Sequence, residues 1–126
     1  MQRVAFITGV SSGIGYATAV LLAERGFRVF GTYRTRHPAN LPEAITLQQM
    51  DVSDDNSVQQ TVSAVMAAAG RIDVLINNAG YALVGALEET SLAEARDQFE
   101  TNFFGTLRVT QQVLPIMRRQ GSGRIP

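Results

Sequence analysis

The sequence predicts an α/β fold in which a parallel sheet is covered by helices on both faces. Short apolar runs alternate along the 126 residues with segments of helical periodicity, the pattern of successive strand, helix and strand units. The first strand also passes directly into the first helix through a glycine-rich turn, which leaves no room for a hairpin. We interpret residues 1–126 as one domain of this class.

The opening unit is a strand, a glycine-rich turn and a helix. The strand, Val4 to Ile7, is apolar throughout, as in a strand buried on both faces. Three glycines follow with the spacing Gly-x-x-x-Gly-x-Gly: Gly9, Gly13 and Gly15. This spacing lets the backbone turn sharply and approach a pyrophosphate, while the N–H groups of the first helical turn face the anion. A tight strand-to-helix connection without a ligand has a similar pattern, so the turn alone leaves both interpretations open.

The later elements follow from periodicity and from start and stop signals. Strands are predicted over 27–33, 45–50 and 72–77. Helices are predicted over 14–25, from a cap at Ser53 or Asp54 to Gly70, and over 92–119 behind the capping box of Ser91 and Glu94. Pro115 is expected to kink or interrupt the last helix. The predicted apolar faces are Ile14, Ala17, Leu21 and Leu22; Val58, Val62, Val65, Met66 and Ala69; and Leu92, Ala95, Phe99, Phe103 and Leu107.

Composition limits the classes of function. The absence of cysteine excludes disulfides and thiolate metal sites, and it is compatible with the cytoplasm, the predicted location. Neither a signal peptide nor a membrane span is expected, because the first strand begins at once and no apolar run is long enough. Residues 1–50 contain five arginines and two acids, whereas residues 51–126 contain six arginines and nine acids. The basic first half favours a phosphorylated ligand over a nucleic acid, since there is no basic run or aromatic platform.

Four motifs, in the right order, resemble the short-chain dehydrogenase/reductase family. The cofactor turn Thr-Gly-x-x-x-Gly-x-Gly begins at Thr8, and Asn-Asn-Ala-Gly occupies 77–80. Asp51, followed by an apolar residue, matches the family's adenine-binding position, and Asn102 in Thr-Asn-Phe-Phe-Gly matches its catalytic asparagine. The resemblance covers essentially the whole chain. It implies a Rossmann-type doubly wound parallel sheet with strand order 3-2-1-4, truncated before the family's fifth strand.

The resemblance implies a dinucleotide site in the crevice between the first and fourth strands. It assigns to the cofactor Thr8, Gly9, Ser11, Ser12, Gly13, Ile14, Gly15, Asp51, Val52, Asn78, Ala79 and Gly80. By the same analogy the amide of Asn77 ties neighbouring strand ends together, and Asn102 is catalytic. Asn and Gly are also the usual turn formers, and Asn102 by itself is equally compatible with a helix kink.

The end of the second strand decides between NAD and NADP. A carboxylate there would accept a hydrogen bond from the ribose 2′-hydroxyl of NAD, whereas an arginine favours the 2′-phosphate of NADP. The chain has Arg34 and Arg36 at this place and no acid until Glu43. NADP is therefore predicted over NAD, with Arg34 as the first candidate for the phosphate and Arg36 as the second. Exposed loop arginines without a ligand are the alternative, and His37 is interpreted as a solvated loop residue.

The family reaction is hydride transfer between a nicotinamide and a carbinol or carbonyl carbon, with a tyrosine, a lysine four residues later and a serine. This chain has no lysine, and its tyrosines, Tyr16, Tyr33 and Tyr81, are followed four residues on by Val20, His37 and Gly85. We therefore expect the nucleotide-binding half of a longer NADP-dependent oxidoreductase. The alternatives are a non-catalytic NADP-binding protein and an inactive truncated product.

Two further expectations concern partners. The stretch 78–90 resembles family members that act on small hydrophobic alcohols and ketones, so the full-length protein is expected to have such a substrate. The fourth strand would form a bare sheet edge, and helix 92–119 would expose Phe99, Phe103, Phe104 or Leu107 where the family pairs its subunits. A homo-oligomer through that helix is therefore expected.

Overall fold

A computed structural model describes residues 2–81 and 85–126 and shows one parallel sheet between two layers of helices. The strands are β1 (Val4–Ile7), β2 (Arg28–Tyr33), β3 (Ile45–Gln49) and β4 (Val74–Ile76); the helices are α1 (Gly13–Glu24), α2 (Asp55–Ala69), α3 (Leu92–Phe99) and α4 (Gly105–Gln120). A 3-10 turn covers Leu87–Glu89, and the π-helical segment Glu100–Phe104 joins α3 to α4. The strands pair in the order β3-β2-β1-β4, all parallel, which confirms the predicted strand order.

Strand β1 lies in the middle of the sheet and is buried on both faces, as its unbroken apolar sequence predicts. Val4 and Phe6 join the core beneath α2 and α4, whereas Ala5 and Ile7 join the core beneath α1. The division arises because successive side chains of a strand point to opposite faces. The two helical layers therefore share one central strand, which carries the first glycine of the turn at its end.

The predicted apolar face of α2 is confirmed, and that of α1 is largely wrong. The valines of α2 that are buried are Val58, Val62 and Val65. In α1, by contrast, Ile14 is 80% exposed and Leu21 is 47% exposed, while the buried residues are Gly15 and Ala19. Small residues let α1 lie close to the sheet, where Val20 and Leu22 pack partly buried against the core, whereas Ile14 and Leu21 are exposed.

Helix boundaries follow the predicted signals. Of the two candidates for the cap of α2, Ser53 and Asp54, the structure shows Asp54: its carboxylate accepts hydrogen bonds from two backbone N–H groups of the first turn at 2.9 and 3.2 Å. Ser91 and Glu94 form the complete capping box at the start of α3. Gly70 ends α2 in the left-handed conformation, with φ 75°.

The predicted continuous helix over 92–119 is interrupted, though not at the proline. The backbone changes to π-helical hydrogen bonding over Glu100–Phe104, between α3 and α4. Pro115 lies inside α4, which continues to Gln120. Of the expected kink or interruption at Pro115, the interruption is therefore wrong, and the irregular turn lies instead at the Thr-Asn-Phe-Phe motif.

The apolar stripe predicted along this helix is exposed and does not form core. Its larger members are between 43% and 72% exposed: Leu92, Phe99, Phe103 and Leu107. Helix α4 packs on the sheet through a different face, formed by Val109, Val113, Ile116 and Met117. The expectation that Phe99, Phe103 and their neighbours are exposed is confirmed.

Strand β4 is shorter than predicted, and a residue near the end of the chain approaches its free edge. It spans Val74–Ile76 rather than 72–77. Arg124 forms an isolated parallel bridge to it: the Arg124 N–H donates to the Asp73 carbonyl at 2.9 Å, and the Arg124 carbonyl accepts from the Leu75 N–H at 2.9 Å. The sheet is thus extended by one paired residue at the place where the fifth strand was expected. None of the helices in the described part of the chain is long and apolar enough to cross a membrane.

Candidate functional site

A cavity of about 330 Å³ lies at the carboxyl ends of the strands. Nine of the thirteen residues predicted to bind the cofactor line it: Gly9, Ser11, Ser12, Arg34, Asp51, Val52, Asn78, Ala79 and Gly80. The sequence did not predict four other lining residues: Thr32, Met50, Tyr81 and Thr101. The remaining predicted residues, Thr8, Gly13, Ile14 and Gly15, lie at the end of β1 and the start of α1.

Thr8 fastens the end of β1 to the end of β4 from inside the protein. It is 1% exposed, and its Oγ1 accepts hydrogen bonds from the backbone N–H groups of Asn78 and Ala79 at 3.0 and 2.9 Å. The Asn78 Nδ2 in turn donates to the Gly9 carbonyl at 2.8 Å. The amide that ties the strand ends together is therefore that of Asn78, and the prediction that gave this role to Asn77 is wrong.

The amide of Asn77 points to the helical layer instead. Its Nδ2 donates to the Thr110 Oγ1 on α4 at 3.1 Å. Its Oδ1 is buried and finds no hydrogen-bond partner among the described residues. Asn77 therefore links β4 to α4 below the cavity.

Two glycines of the turn are required by close contact. A Cβ atom on Gly15 would lie 2.1 Å from the Gly9 carbonyl oxygen and 2.4 Å from the Asn78 Nδ2. A Cβ atom on Gly9 would lie 2.9 Å from the Ala79 Cα, and Gly9 also has φ 73°. Gly13 differs, because it has φ 62° but a Cβ there would meet no described atom within 4 Å. The motif thus needs glycine at Gly9 and Gly15 because neighbouring atoms lie too close for a Cβ atom, and at Gly13 only because of the backbone conformation.

Helix α1 starts beside the cavity with donors available for an anion. Its N-cap residue, Ser12, makes no capping hydrogen bond with its side chain inside the described residues, and the first turn contains no acid. The first N–H groups of a helix have no partner within the helix and carry the positive end of its dipole. Together with the glycines that keep this edge free of Cβ atoms, this turn fits the pyrophosphate of a dinucleotide.

Thr32 fixes the glycine turn to β2, a role that the sequence did not predict. It is 2% exposed, its Oγ1 accepts from the Gly9 N–H at 3.1 Å, and its carbonyl accepts from the Val10 N–H at 2.8 Å. The preceding Gly31 leaves space for Val10, since a Cβ there would lie 2.6 Å from the Val10 Cγ2. The adjacent small residues at the end of β2 were a possible signal, but they do not reveal which turn they contact.

The opposite wall of the cavity carries two charges. The Arg34 Nε lies 4.0 Å from the Asp51 Oδ2, and the two side chains are 66% and 40% exposed. The Asp51 Oδ1 accepts from the Ser53 hydroxyl at 2.6 Å and from the Ser53 N–H at 2.9 Å. These hydrogen bonds, the hydroxyl first, outweigh desolvation and hold the pKa of Asp51 below its usual value, and the positive Arg34 and Arg108 lower it further. Asp51 is therefore ionised at neutral pH.

Arg36, the second candidate for the phosphate, lies outside this cavity. It lines a neighbouring depression with Ser11, Tyr16 and His37. His37 is exposed, as predicted, with its ring edge-on to Tyr33 at 4.9 Å between centroids. Arg34 is thus the arginine of this loop that faces the cavity.

Asn102 holds the backbone that follows the Asn-Asn-Ala-Gly motif. Its Oδ1 accepts from the Tyr81 N–H at 2.9 Å, and its Nδ2 donates to the Tyr81 carbonyl at 2.7 Å. Gln98, one turn earlier, donates to the same carbonyl at 3.3 Å. A Cβ atom on Gly80 would lie 2.6 Å from the Asn102 Oδ1, so the amide is packed against the glycine. The π-helical segment, a feature that often occurs at functional sites, thus sets the position of the cavity rim.

Comparison with known proteins connects this geometry to one family. A family model described as short chain dehydrogenase matches residues 3–125. A 3-ketodihydrosphingosine reductase from Bacteroides thetaiotaomicron is 42% identical over 98% of this chain and 45% of its own length. Retinol dehydrogenase 8 from Bos taurus is 41% identical over 98% of this chain and 43% of its own length. The chain therefore spans less than half the length of these two relatives.

Solved structures agree with the fold over nearly the whole chain. A short-chain dehydrogenase from Streptomyces avermitilis superposes with a TM-score of 0.93 at 39% identity, over 99% of this chain and 48% of that one. The structure of ElxO with NADP bound gives a TM-score of 0.91 at 30% identity, over 99% of this chain and 54% of that one. Both matches cover the strands and helices that surround the cavity.

Proposed function

This chain belongs to the short-chain dehydrogenase family, and from that premise we propose that it is the NADP-binding half of a longer oxidoreductase. The observation that carries the proposal is the position of Arg34 on the cavity wall, at the end of β2. A preference for NAD would require an acid at this place. The NADP bound to ElxO, a structure with the same fold, supports it.

In this proposal each part of the cavity holds one part of the dinucleotide. The start of α1 and the glycine turn bind the pyrophosphate through backbone N–H groups. Asp51 accepts a hydrogen bond from the adenine, and Arg34 contacts the 2′-phosphate through its guanidinium. The stretch Asn78 to Gly80 lines the ribose, held in place by Thr8 from below.

The proposed reaction of the full-length protein interconverts an alcohol and a carbonyl compound. The dinucleotide, when bound, supplies the acceptor or donor of the hydride. Asn102 contributes by holding the rim at Gly80 and Tyr81, which we propose as its role near the reacting groups. A hydrophobic alcohol or ketone is the proposed substrate class, in line with the names of the retinol dehydrogenase and the 3-ketodihydrosphingosine reductase. Of the stretch 78–90 that predicted this class, residues 82–84 lie outside the described residues.

The competing function is NADP binding without catalysis. The absence of lysine from the sequence favours it for the chain by itself, because the family's lysine assists its tyrosine. A third possibility is an inactive truncated product. Assaying the purified chain with NADPH and a panel of aldehydes and ketones tests it for catalysis: we expect no turnover, and turnover would show that the 126 residues hold a complete active site.

The test of the cofactor assignment is a fluorescence titration of the chain with NADPH and with NADH. We expect NADPH to bind more tightly than NADH. Arg34→Ala should weaken the binding of NADPH about tenfold, the effect of losing one exposed charge-assisted contact, and should leave the binding of NADH nearly unchanged. Arg36→Ala is the matched control, because Arg36 lies on the same loop but outside the cavity. An unchanged NADPH to NADH ratio in Arg34→Ala would overturn the assignment, and no binding of either nucleotide by the unmodified chain would indicate an inactive product.

We also propose that the exposed apolar face of α3 and the π-helical segment pairs with a second subunit. Phe99 and Phe103 are 61% and 58% exposed and lie next to one another along this face. Exposed aromatic side chains in such a group are costly in water and are typical of interfaces. Sedimentation equilibrium should show a dimer that Phe103→Asp dissociates, whereas a monomeric unmodified protein would exclude this pairing.

A further inference from the structure

The charges in the cavity cancel. Among the described lining residues, Arg34 and Asp51 are the charged ones, with one positive and one negative group. They face each other across 4.0 Å, which is longer than a hydrogen bond and close enough for attraction. A cavity that has to hold a dinucleotide with an additional phosphate would be expected to be positive, so the cancelling acid needs an explanation.

The two members of the pair are held differently. Asp51 is fixed, because two hydrogen bonds from Ser53 hold its Oδ1 and its backbone N–H donates to the Ser57 hydroxyl at 2.9 Å. Its Oδ2 is left to face Arg34. The Arg34 side chain is two-thirds exposed and has this carboxylate as its nearby charge partner in the described part of the chain. The carboxylate is thus a fixed point toward which a movable guanidinium is drawn.

We propose that Asp51 limits the preference for NADP by competing with the 2′-phosphate for Arg34. This rests on the proposed binding of NADP. Without a ligand, the Asp51 carboxylate attracts the Arg34 guanidinium. A phosphate that contacts Arg34 has to draw the guanidinium away from this carboxylate. The same carboxylate repels the phosphate, which would lie roughly 5–8 Å away if both groups contact one guanidinium. Both effects weaken the binding of NADP and leave the binding of NAD almost unaffected, because NAD has no phosphate charge at this position.

The ratio of the two affinities isolates this effect from the contact with adenine. Adenine is common to NADPH and NADH, so the loss of a hydrogen bond to it weakens both and cancels in the ratio. Removing the charge in Asp51→Asn should raise the NADPH to NADH affinity ratio about three- to tenfold at low salt, as expected for unit charges at such distances in a partly exposed site. The gain should shrink in about 1 M salt, where the screening length falls to about 3 Å.

The experiment is a double-mutant cycle on the purified chain. NADPH and NADH are titrated against the unmodified protein, Asp51→Asn, Arg34→Ala and the double variant, at low and at high salt. We expect the ratio to rise in Asp51→Asn, to fall in Arg34→Ala, and to rise less when Asp51→Asn is added to Arg34→Ala, because only the repulsion of the phosphate is then removed. Asp55→Asn is the matched control: it removes an exposed acid at the start of α2 that pairs with Arg108 outside the cavity, so it should leave the ratio unchanged.

The possible outcomes separate this inference from the function on which it rests. An unmodified chain that binds neither nucleotide overturns the proposed function and the inference with it. Binding of NADPH with an unchanged or lower ratio in Asp51→Asn overturns the inference alone, and so does a full gain that persists without Arg34. The asparagine oxygen can still accept from Ser53, so the loop should fold, which circular dichroism checks. If Asp51→Asn is unfolded, Asp51→Ser provides the same loss of charge and must give the same rise in ratio.

Discussion

The two walls of the cavity differ in the interactions that hold them and in their exposure to solvent. One, the glycine wall, presents Gly9 and Asn78 to the cavity with Thr8 and Gly15 directly behind them, and it is held by hydrogen bonds of 2.8–3.0 Å and by backbone contacts that leave no space for a Cβ atom. The other, the charged wall, consists of Arg34 and Asp51, which are 66% and 40% exposed and 4.0 Å apart. The glycine wall is buried or half-buried and closely packed, whereas the charged wall is exposed.

This difference separates two requirements of a nucleotide site. The position of backbone N–H groups against a pyrophosphate has to be accurate, and buried hydrogen bonds supply that accuracy together with much of the local stability. Discrimination between two nucleotides needs a charge at one place, and an exposed side chain supplies it at almost no cost in stability. Mutations in the glycine wall should therefore affect folding, and mutations in the charged wall should affect selectivity.

The largest effect is expected for Gly15→Ala. The new Cβ would lie 2.1 Å from the Gly9 carbonyl oxygen and 2.4 Å from the Asn78 Nδ2, so α1 has to move away from β1 and β4. We expect a loss of about 3 kcal/mol or more in the free energy of unfolding, measured by urea denaturation followed by circular dichroism.

Gly13→Ala is its control. At Gly13 the Cβ would meet no described atom within 4 Å, and the cost of φ 62° for alanine is about 1–2 kcal/mol. Equal losses in the two variants would mean that the glycine wall relaxes easily and is less rigid than its contacts indicate.

The glycine wall also shows what a sequence pattern can and cannot predict. The positions Gly9 and Gly15 were predictable, because the spacing of the motif identifies them. The partners were not: Thr8 and Thr32 use their hydroxyls to hold backbone N–H groups that are far along the chain, and the sequence does not show which N–H groups are near. For the same reason the tie between strand ends was assigned to Asn77 when it belongs to Asn78.

The strands and their order were predictable because buried parallel strands are short, continuous apolar runs. The helix faces were less so, since large apolar residues dominate a periodic hydrophobic pattern whether or not they face the core. It succeeded for α2, where valines face the core, and failed for α1, where Ala19 does and Ile14 is exposed. For the π-helical segment at Glu100–Phe104 the sequence offered only the alternative of a helix kink at Asn102, and it did not show the contact that Asn102 makes with Tyr81.

A smaller loss is expected for Thr8→Val, which keeps the shape of the side chain and removes the acceptor. The N–H groups of Asn78 and Ala79 would then be left without their partner inside the protein, at a cost of about 2–4 kcal/mol in the free energy of unfolding. Thr8→Ser keeps the hydroxyl and should lose only about 1 kcal/mol for the missing methyl group. If the serine variant is as unstable as the valine variant, packing of the methyl group and not hydrogen bonding holds the wall together.

The smallest effect on stability is expected in the charged wall. Arg34→Ala should change the free energy of unfolding at pH 7 by less than about 0.5 kcal/mol, because the pair with Asp51 is exposed and screened by water.

The pH dependence of the stability that Asp51 contributes has a definite sign. The pKa of Asp51 is lowered in the folded chain, so the stability it contributes is fully present above its usual pKa and is lost as the pH falls through the folded value. The difference between the unmodified protein and Asp51→Asn should therefore be constant from about pH 8 to 5 and should shrink only below about pH 4, in urea denaturation at each pH. A loss in Arg34→Ala as large as that in Thr8→Val would show that the guanidinium is fixed in the folded state, and a fixed guanidinium could not move from Asp51 to a phosphate.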